Sequence, residues 1–322
     1  GTTWKAKQTS NTYTFSGLKS GTYNIKVRVT NNANLNTTSN TLSVATVTLA
    51  KPSISIPSGW ATSKSVTIEY PSVATIKQYS LDGGSTWKNY TGAITFTTNG
   101  SIVAKASDGI NEVTNAGNIT QIDTTNPTVS YSLASGTYNE NKTITITAND
   151  DNFQFMYITV YKDGTVYKEY NRLTNKTQTI DLDSDGTWIV YTNVVDKAGN
   201  KLNQEPKTST GVYYQTYMID TVNPTVSYSL AGGTYNENKT VRVTVSDTNF
   251  KSMSVYVFKN KALVYTNKIT SKSIDNTTKN TFDVLLDGDG DWTIYAKATD
   301  KAGNKQNQDP NNGDWYYQTY VI

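Results

Sequence analysis

Asn126-Pro127-Thr128-Val129-Ser130-Tyr131 returns further along the chain as Asn223-Pro224-Thr225-Val226-Ser227-Tyr228. The match runs on through Tyr138-Asn139-Glu140-Asn141-Lys142-Thr143 and Tyr235-Asn236-Glu237-Asn238-Lys239-Thr240, and only Ser135 against Gly232 interrupts it. Beyond these stretches, Asp196-Lys197-Ala198-Gly199-Asn200 returns as Asp300-Lys301-Ala302-Gly303-Asn304. Tyr213-Tyr214-Gln215-Thr216-Tyr217 returns as Tyr316-Tyr317-Gln318-Thr319-Tyr320. The period is about a hundred residues, too long for a solenoid unit and suited to an autonomous sandwich domain.

Within one period the apolar residues alternate. Val241-Arg242-Val243-Thr244-Val245 is a clear case, and Tyr23-Asn24-Ile25-Lys26-Val27-Arg28-Val29 is another. Period two means a strand with one face buried and one wet. The third domain is read as strands at Thr128–Leu133, Thr143–Ala148, Met156–Lys162, Val166–Tyr170, Gln178–Leu182, Trp188–Val194 and Val212–Ile219. Asp163-Gly164 between two of them is a two-residue hairpin signal. Seven short strands separated by turns fit an immunoglobulin-like sandwich.

A more distant relative precedes the duplicate pair. Ser53–Ile56, Val66–Tyr70 and Gln78–Leu81 are its early strands, and Asp108 falls where Asp300 falls. The first segment reads as incomplete, because Gly1-Thr2-Thr3-Trp4 lines up with Gly84-Ser85-Thr86-Trp87. The expected domains are therefore residues 1–48, the later part of a sandwich; 49–123; 124–220; and 221–322. The fold class expected is all-β, tandem β-sandwich domains in a linear array, cut from a longer protein.

Composition removes several functions. The 322 residues include no Cys and no His, and the formal charge is +3. Thiolate nucleophiles, zinc-thiolate sites and histidine general bases are thus excluded. Mean hydropathy is −0.53. Lys and the acidic residues are interspersed, so no basic patch marks a nucleic-acid surface. No apolar run reaches the ~18 residues that a membrane span needs.

The linkers Asp123-Thr124-Thr125-Asn126-Pro127 and Asp220-Thr221-Val222-Asn223-Pro224, with the later Asp-Lys-Ala-Gly-Asn motifs, resemble bacterial Ig-like repeat domains of surface proteins. The start, with Gly17-Leu18-Lys19-Ser20-Gly21-Thr22-Tyr23, is similar to the second half of a fibronectin type III domain. The resemblance implies sandwich folds and an extracellular place, on a bacterial surface or secreted. It leaves function open, since such modules decorate many proteins.

One constellation carries candidate chemistry. In this strand order the linker, the loop after the second strand and the loop after the sixth meet at one pole. In the third domain these places hold Asp123, Asp150 and Asp196; in the fourth, Asp220, Asp247 and Asp300. Calcium takes about six to eight oxygens, several of them anionic, and convergent Asp and Asn loops can supply them. The competing reading is that Asp and Asn cap turns by accepting backbone N–H bonds. The run Asp181-Leu182-Asp183-Ser184-Asp185-Gly186 lacks the Glu of a calcium loop and reads as a turn. Trp188 and Trp292 head alternating strands and read as core. Sequons such as Asn141-Lys142-Thr143 are what so Asn- and Thr-rich a chain produces by chance.

The reading is a non-enzymatic stalk, spacer or adhesion region, its host, glycan or protein ligand bound elsewhere in the longer chain. Two alternatives are a glycan-binding accessory module of a secreted carbohydrate-active enzyme and an Ig-like decoration of a phage tail or filament.

Overall fold

The computed structural model describes residues 13, 15, 18–31, 33–39, 43–205, 208, 212–270 and 280–322. The first four residues, aligned above with Gly84–Trp87, lie outside them. The described residues are all β, without a helix, and none is therefore long and apolar enough to cross a membrane. The chain divides into two compact units. The first comprises residues 1–125 with 197–200, and the second comprises 126–196 with 201–322.

In the first unit, β1 (Gly21–Ile25) pairs β4 (Ser43–Val47), and β2 (Arg28–Thr30) pairs β3 (Asn36–Thr38). Together they make one interrupted hairpin. The alternating stretch Tyr23–Val29 is therefore not one half-buried strand: it is broken at Lys26–Val27, and Val27 and Val29 are 45% and 65% exposed. Next come β5 (Ser53–Ser55), β6 (Lys64–Glu69), β7 (Ile76–Ser80), β8 (Lys88–Asn89), β9 (Ile94–Phe96), β10 (Gly100–Ser107) and β11 (Glu112–Ile119). They form a three-stranded sheet, β5-β6-β9, and a four-stranded one, β11-β10-β7-β8. Val66, Ile68, Ile102, Ala104, Ile119 and Ile122 fill the space between. Gly117 packs closely here: a Cβ there would stand 2.7 Å from Ile56 Cδ1, so the end of the Ile56 side chain would have to move.

The second unit holds the duplicate pair. Its first sandwich is built from β12 (Thr128–Tyr131), β13 (Gly136–Tyr138), β14 (Lys142–Asn149), β15 (Phe153–Lys162), β16 (Thr165–Leu173), β17 (Thr177–Leu182), β18 (Gly186–Asp196) and β19 (Tyr213–Ile219). The sheets are β12-β14-β17 and β13-β19-β18-β15-β16. The second sandwich repeats this with β20 (Thr225–Tyr228), β21 (Gly233–Thr234), β22 (Lys239–Ser246), β23 (Phe250–Lys259), β24 (Ala262–Thr270), β25 (Asn280–Leu286), β26 (Asp291–Asp300), β27 (Asn311–Asn312) and β28 (Trp315–Val321). Its sheets are β20-β22-β25 and β21-β28-β26-β23-β24, with β27 added on β28.

The residues explain these elements. β14 buries Ile144, Ile146 and Ala148, and β22 buries Val241, Val243 and Val245, every second side chain in each. Trp188 and Trp292 lie in the two cores, as their positions in alternating strands predict. Burying such a core stabilises each sandwich by roughly 1.5–3 kcal/mol per large apolar side chain before entropy is counted. Asp163 and Gly164 both have positive φ, 49° and 79°, as a type I′ hairpin turn requires. In the second copy Asn260 and Lys261 take the same region at 49° and 70° without a glycine.

The first strand is shorter than its alternation suggests. β12 ends at Tyr131, and the chain then crosses to the other sheet, where β13 pairs with β19 in parallel. The crossing is held by the Tyr217 hydroxyl, which donates to the Leu133 carbonyl at 3.1 Å. Tyr320 does the same to Leu230 at 3.1 Å.

Candidate metal centre

The joint between the two repeats is the five-residue segment Asp220–Pro224, and its polar groups are used on both sides. Toward the earlier sandwich, the Asp220 amide donates to the Tyr138 carbonyl at 3.0 Å. The Thr221 amide donates to Asp185 Oδ1 at 2.9 Å. Toward the later sandwich, Asn304 Nδ2 donates to the Asp220 carbonyl at 2.7 Å, and Asn249 Nδ2 donates to Asp220 Oδ2 at 2.8 Å. Within the segment, the Val222 amide donates to Asp220 Oδ1 at 3.2 Å.

Three carboxylates converge at this place. Asp220 and Asp300 are buried and Asp247 is half-buried, and each offers an oxygen within 4.8 Å of the others. β26 delivers Asp300 at its last residue, and the turn after β22 delivers Asp247. The Asp300 carboxylate accepts three local hydrogen bonds and keeps acceptor capacity for a further partner. Its Oδ1 accepts from the Gly303 and Asn304 amides at 2.6 and 2.8 Å, and its Oδ2 accepts from Asn304 Nδ2 at 2.6 Å. Asp247 Oδ1 accepts from the Asn249 amide at 2.7 Å.

Electrostatics single out Asp247. Its carboxyl is pushed up to about 6, first by burial and then by the charges of Asp220 and Asp300, against the opposing Asn249 amide bond. Negative charges brought together out of water disfavour one another's ionised form. A divalent ion placed among them reverses that preference. The donors are oxygen only, which matches a hard cation such as calcium rather than zinc. A groove of about 820 Å³ opens beside the cluster, lined among others by Asp163, Asp185, Val222 and Asn249.

The corresponding residues of the earlier repeat are placed as follows. Asp196 is fully buried at the end of β18, and Asp150 lies within 4.8 Å of it. Asp150 Oδ1 accepts from the Asn152 amide at 2.7 Å, and the Asp150 carbonyl accepts from Lys176 Nζ at 2.6 Å. Asp123 belongs to the first unit, where its Oδ1 accepts from the Thr125 amide at 2.9 Å and its carbonyl accepts from Asn200 Nδ2 at 2.9 Å. So Asp123, Asp150, Asp220, Asp247 and Asp300 each also cap a turn, the role that the competing reading assigned to them.

The acidic run Asp181–Gly186 acts as turn and brace. Asp181 accepts from Thr143 Oγ1 at 2.7 Å, and Asp185 holds the linker. The role of Asp185 is not evident in the sequence, since the contact spans 36 residues. In the first unit, buried Asp108 occupies the place of Asp300 and belongs to no cluster of three carboxylates among the described residues. It accepts instead from the Ser20 amide at 2.6 Å, from the Ser20 hydroxyl, and from the Ile110 and Asn111 amides at 3.0 Å.

Aromatic residues form rows on the outer face of the larger sheets. Tyr161, Tyr191 and Tyr214 stand in line at 5.4 and 5.6 Å, and Phe258, Tyr295 and Tyr317 at 5.6 and 5.3 Å. These rings meet edge-on or tilted, at 33–79°, and pack against one another rather than forming a flat stacking platform.

No protein-family model matches the chain, and no curated protein matches its sequence. Solved structures do match. A tetra-tandem repeat from the extending region of a large adhesion protein is 16% identical over 95% of this chain and 83% of that one, with a TM-score of 0.41. Fibronectin(III)-like modules of Clostridium thermocellum CbhA are 14% identical over 60% of this chain and 93% of that one, with a TM-score of 0.25. The I67–I69 fragment of the titin I-band is 9% identical over 85% of this chain and 99% of that one, with a TM-score of 0.40. At such identities and scores the likeness says nothing of function.

Proposed function

We propose that this chain is a non-enzymatic stalk or spacer region of an extracellular bacterial surface protein, and that calcium held by Asp220, Asp247 and Asp300 stiffens its repeat joint. The observation that carries the reading is the Asp220–Pro224 linker, hydrogen-bonded to the sandwich before it and to the sandwich after it. A linker free to swing would leave these groups to water. A tied linker gives a defined angle, and copying it gives length. Pro224 and Asn223 add to this, because proline fixes its own φ and restricts the residue before it. Asp123, Asp150 and Asp196 are the sequence counterparts of the three proposed ligands.

Thermal unfolding of the full chain, with millimolar calcium and then with chelator, tests the metal. A ligand that binds the folded form alone raises the midpoint. An unchanged midpoint returns the aspartates to turn capping. Joint rigidity is tested separately by spin labels at Lys168→Cys and Lys251→Cys, on either side of the linker. A narrow distance distribution supports a spacer, and a broad one in the presence of calcium removes it.

A further inference from the structure

The outer faces of the two repeats have diverged almost everywhere. Every outward position of β15 differs from its counterpart in β23, from Phe155 against Ser252 to Tyr161 against Phe258. Along β18 and β26 the outward positions change too, Ile189 to Thr293 and Asn193 to Lys297, and Tyr191 alone is kept, as Tyr295. On the next strand Tyr214 is kept as Tyr317. These kept tyrosines stand directly opposite each other: Tyr191 registers with Tyr214, and Tyr295 with Tyr317. Their ring centroids are 5.6 and 5.3 Å apart, tilted by 43° and 33°, and all four rings are half-buried. Opposed residues on neighbouring strands hold their Cβ atoms about 4.5–5.5 Å apart, so the ladder itself fixes this spacing. In the sandwich that precedes the repeats, β10 and β11 place Val103 opposite Ala116 and carry no such pair.

Ring packing does not account for the retention. Tyr161 packs edge-on against Tyr191 at 5.4 Å, and its counterpart Phe258 packs the same way against Tyr295 at 5.6 Å without a hydroxyl. The opposed pair keeps its phenols, and the flanking position does not. Paired phenols have a chemistry that paired phenyl rings lack. Each gives up an electron to a one-electron oxidant and its hydroxyl proton to solvent. The two phenoxyl radicals couple between the ring carbons beside their oxygens, and the hydrogen on each of those carbons moves to the oxygen as the ring regains aromaticity. The sum is one new carbon–carbon bond, with two electrons passed to the oxidant and two protons to solvent.

Other tyrosine pairs are placed less well for this reaction. Tyr131 meets Tyr213 at 5.6 Å and Tyr228 meets Tyr316 at 5.4 Å, but these pack against the cores. The Tyr131 hydroxyl is hydrogen-bonded to Thr192, and the Tyr228 hydroxyl donates to the Tyr316 carbonyl at 2.7 Å. Tyr70 lies 5.4 Å from Tyr90, but its hydroxyl donates to the Gln78 carbonyl at 2.6 Å and is pushed up to about 12, mainly by burial. A phenol that holds its proton is slow to yield an electron.

We infer that Tyr191–Tyr214 and Tyr295–Tyr317 are oxidative cross-linking sites, at which a one-electron oxidant joins the last two long strands of each repeat by a dityrosine bond. The chain has no Cys, so this bond does the work that a disulfide does elsewhere. In the earlier repeat it fastens β19, the strand that runs directly into Asp220 and the joint.

The test is brief oxidation of the full chain, at low concentration, by light-activated tris(bipyridine)ruthenium with persulfate, a reagent small enough to reach half-buried rings. Dityrosine fluorescence should appear in the monomer, and peptide mapping should find Tyr191 joined to Tyr214 and Tyr295 joined to Tyr317, each pair lighter by two hydrogen atoms. The double variant Tyr214→Phe with Tyr317→Phe keeps both rings and should lose most of this product. Tyr131→Phe, in the core, should keep it. Oxidised wild-type chain should unfold at higher urea than untreated chain, and the oxidised double variant should not. Coupling that joins separate chains, that maps mainly to Tyr70–Tyr90 or the core pairs, or that persists in the double variant overturns the inference. So does a urea midpoint that the mapped cross-links leave unchanged.

Discussion

Gln308 closes a two-bond clamp on the backbone of Val226. The Val226 amide donates to Gln308 Oε1, and Gln308 Nε2 donates back to the Val226 carbonyl at 2.9 Å. Gln204 does the same to Val129, with a return bond of 3.2 Å. A side-chain amide thus stands in for a neighbouring strand beside β20 and β12. Val226 is buried, so its N–H and C=O have no easy recourse to water.

Gln308→Ala should therefore destabilise its repeat by about 1–3 kcal/mol, the cost of buried backbone groups left unpaired. Urea denaturation read against Gln204→Ala checks this, since the two substitutions should cost alike. A change within 0.3 kcal/mol of zero, on the order of ordinary surface scatter, would mean that water replaces the clamp.

The raised Asp247 carboxyl gives a pH dependence whose sign changes with calcium. Without metal, the folded protein holds the Asp247 proton up to about pH 6, whereas the unfolded chain releases it near 3.8. The folded form therefore binds more protons between these values, and stability from this group rises as pH falls from 6 toward 4. With calcium bound, the ionised form is the one favoured, so acidification over the same window should lower the midpoint. Asp247→Asn should abolish both trends. Calorimetric midpoints at pH 7, 6 and 5, with calcium and with chelator, read the effect.

Tyr131, Tyr217, Tyr228 and Tyr320 all have hydroxyls raised well above the usual tyrosine range, with burial the main cause. Their protonated state contributes stability that is intact below the unfolded value near 10 and is lost as pH rises beyond it. Ultraviolet titration should show a group of tyrosines that ionise only with unfolding, alongside exposed ones that ionise near pH 10. Smooth ionisation of all 23 tyrosines near pH 10 would contradict the burial.

Tyr217→Phe and Tyr320→Phe each remove one hydroxyl that braces the strand crossing at Leu133 or Leu230. Each should cost about 0.5–1.5 kcal/mol. The two losses should add in the double variant, because the sites lie in separate cores.

Much of the fold could be read from residues alone. The copied Asn-Pro-Thr-Val-Ser-Tyr stretch, the period-two strands and the Asp163-Gly164 turn all signal local events, decided by neighbours in the chain. The convergence of Asp220, Asp247 and Asp300 was also accessible, because strand order dictates which loops share a pole. Less accessible were contacts that depend on long-range register. The three-residue strand Gly136–Tyr138 carries no alternation long enough to notice. Asp185 reaches the linker only once β18 is in place. The glutamine clamp left one trace, since Asn203-Gln204 is retained as Asn307-Gln308, within the matching stretches Lys201–Pro206 and Lys305–Pro310.

The near-identity of β12–β13 with β20–β21 has a further consequence, in refolding rather than in the native state. From Asn126 to Thr143 and from Asn223 to Thr240 the chain offers two almost interchangeable opening segments to two similar acceptors. Val129 registers with Ala148, and Val226 with Val245, so each segment meets a partner of much the same shape in either sandwich. Exchange of one opening segment for the other is a kinetic trap of the kind that tandem repeats invite. Folding of the earlier repeat before the later one leaves the ribosome avoids that competition. Refolding from denaturant loses this order, and should yield a slow fraction that a chain with a divergent Asn223–Thr240 segment lacks.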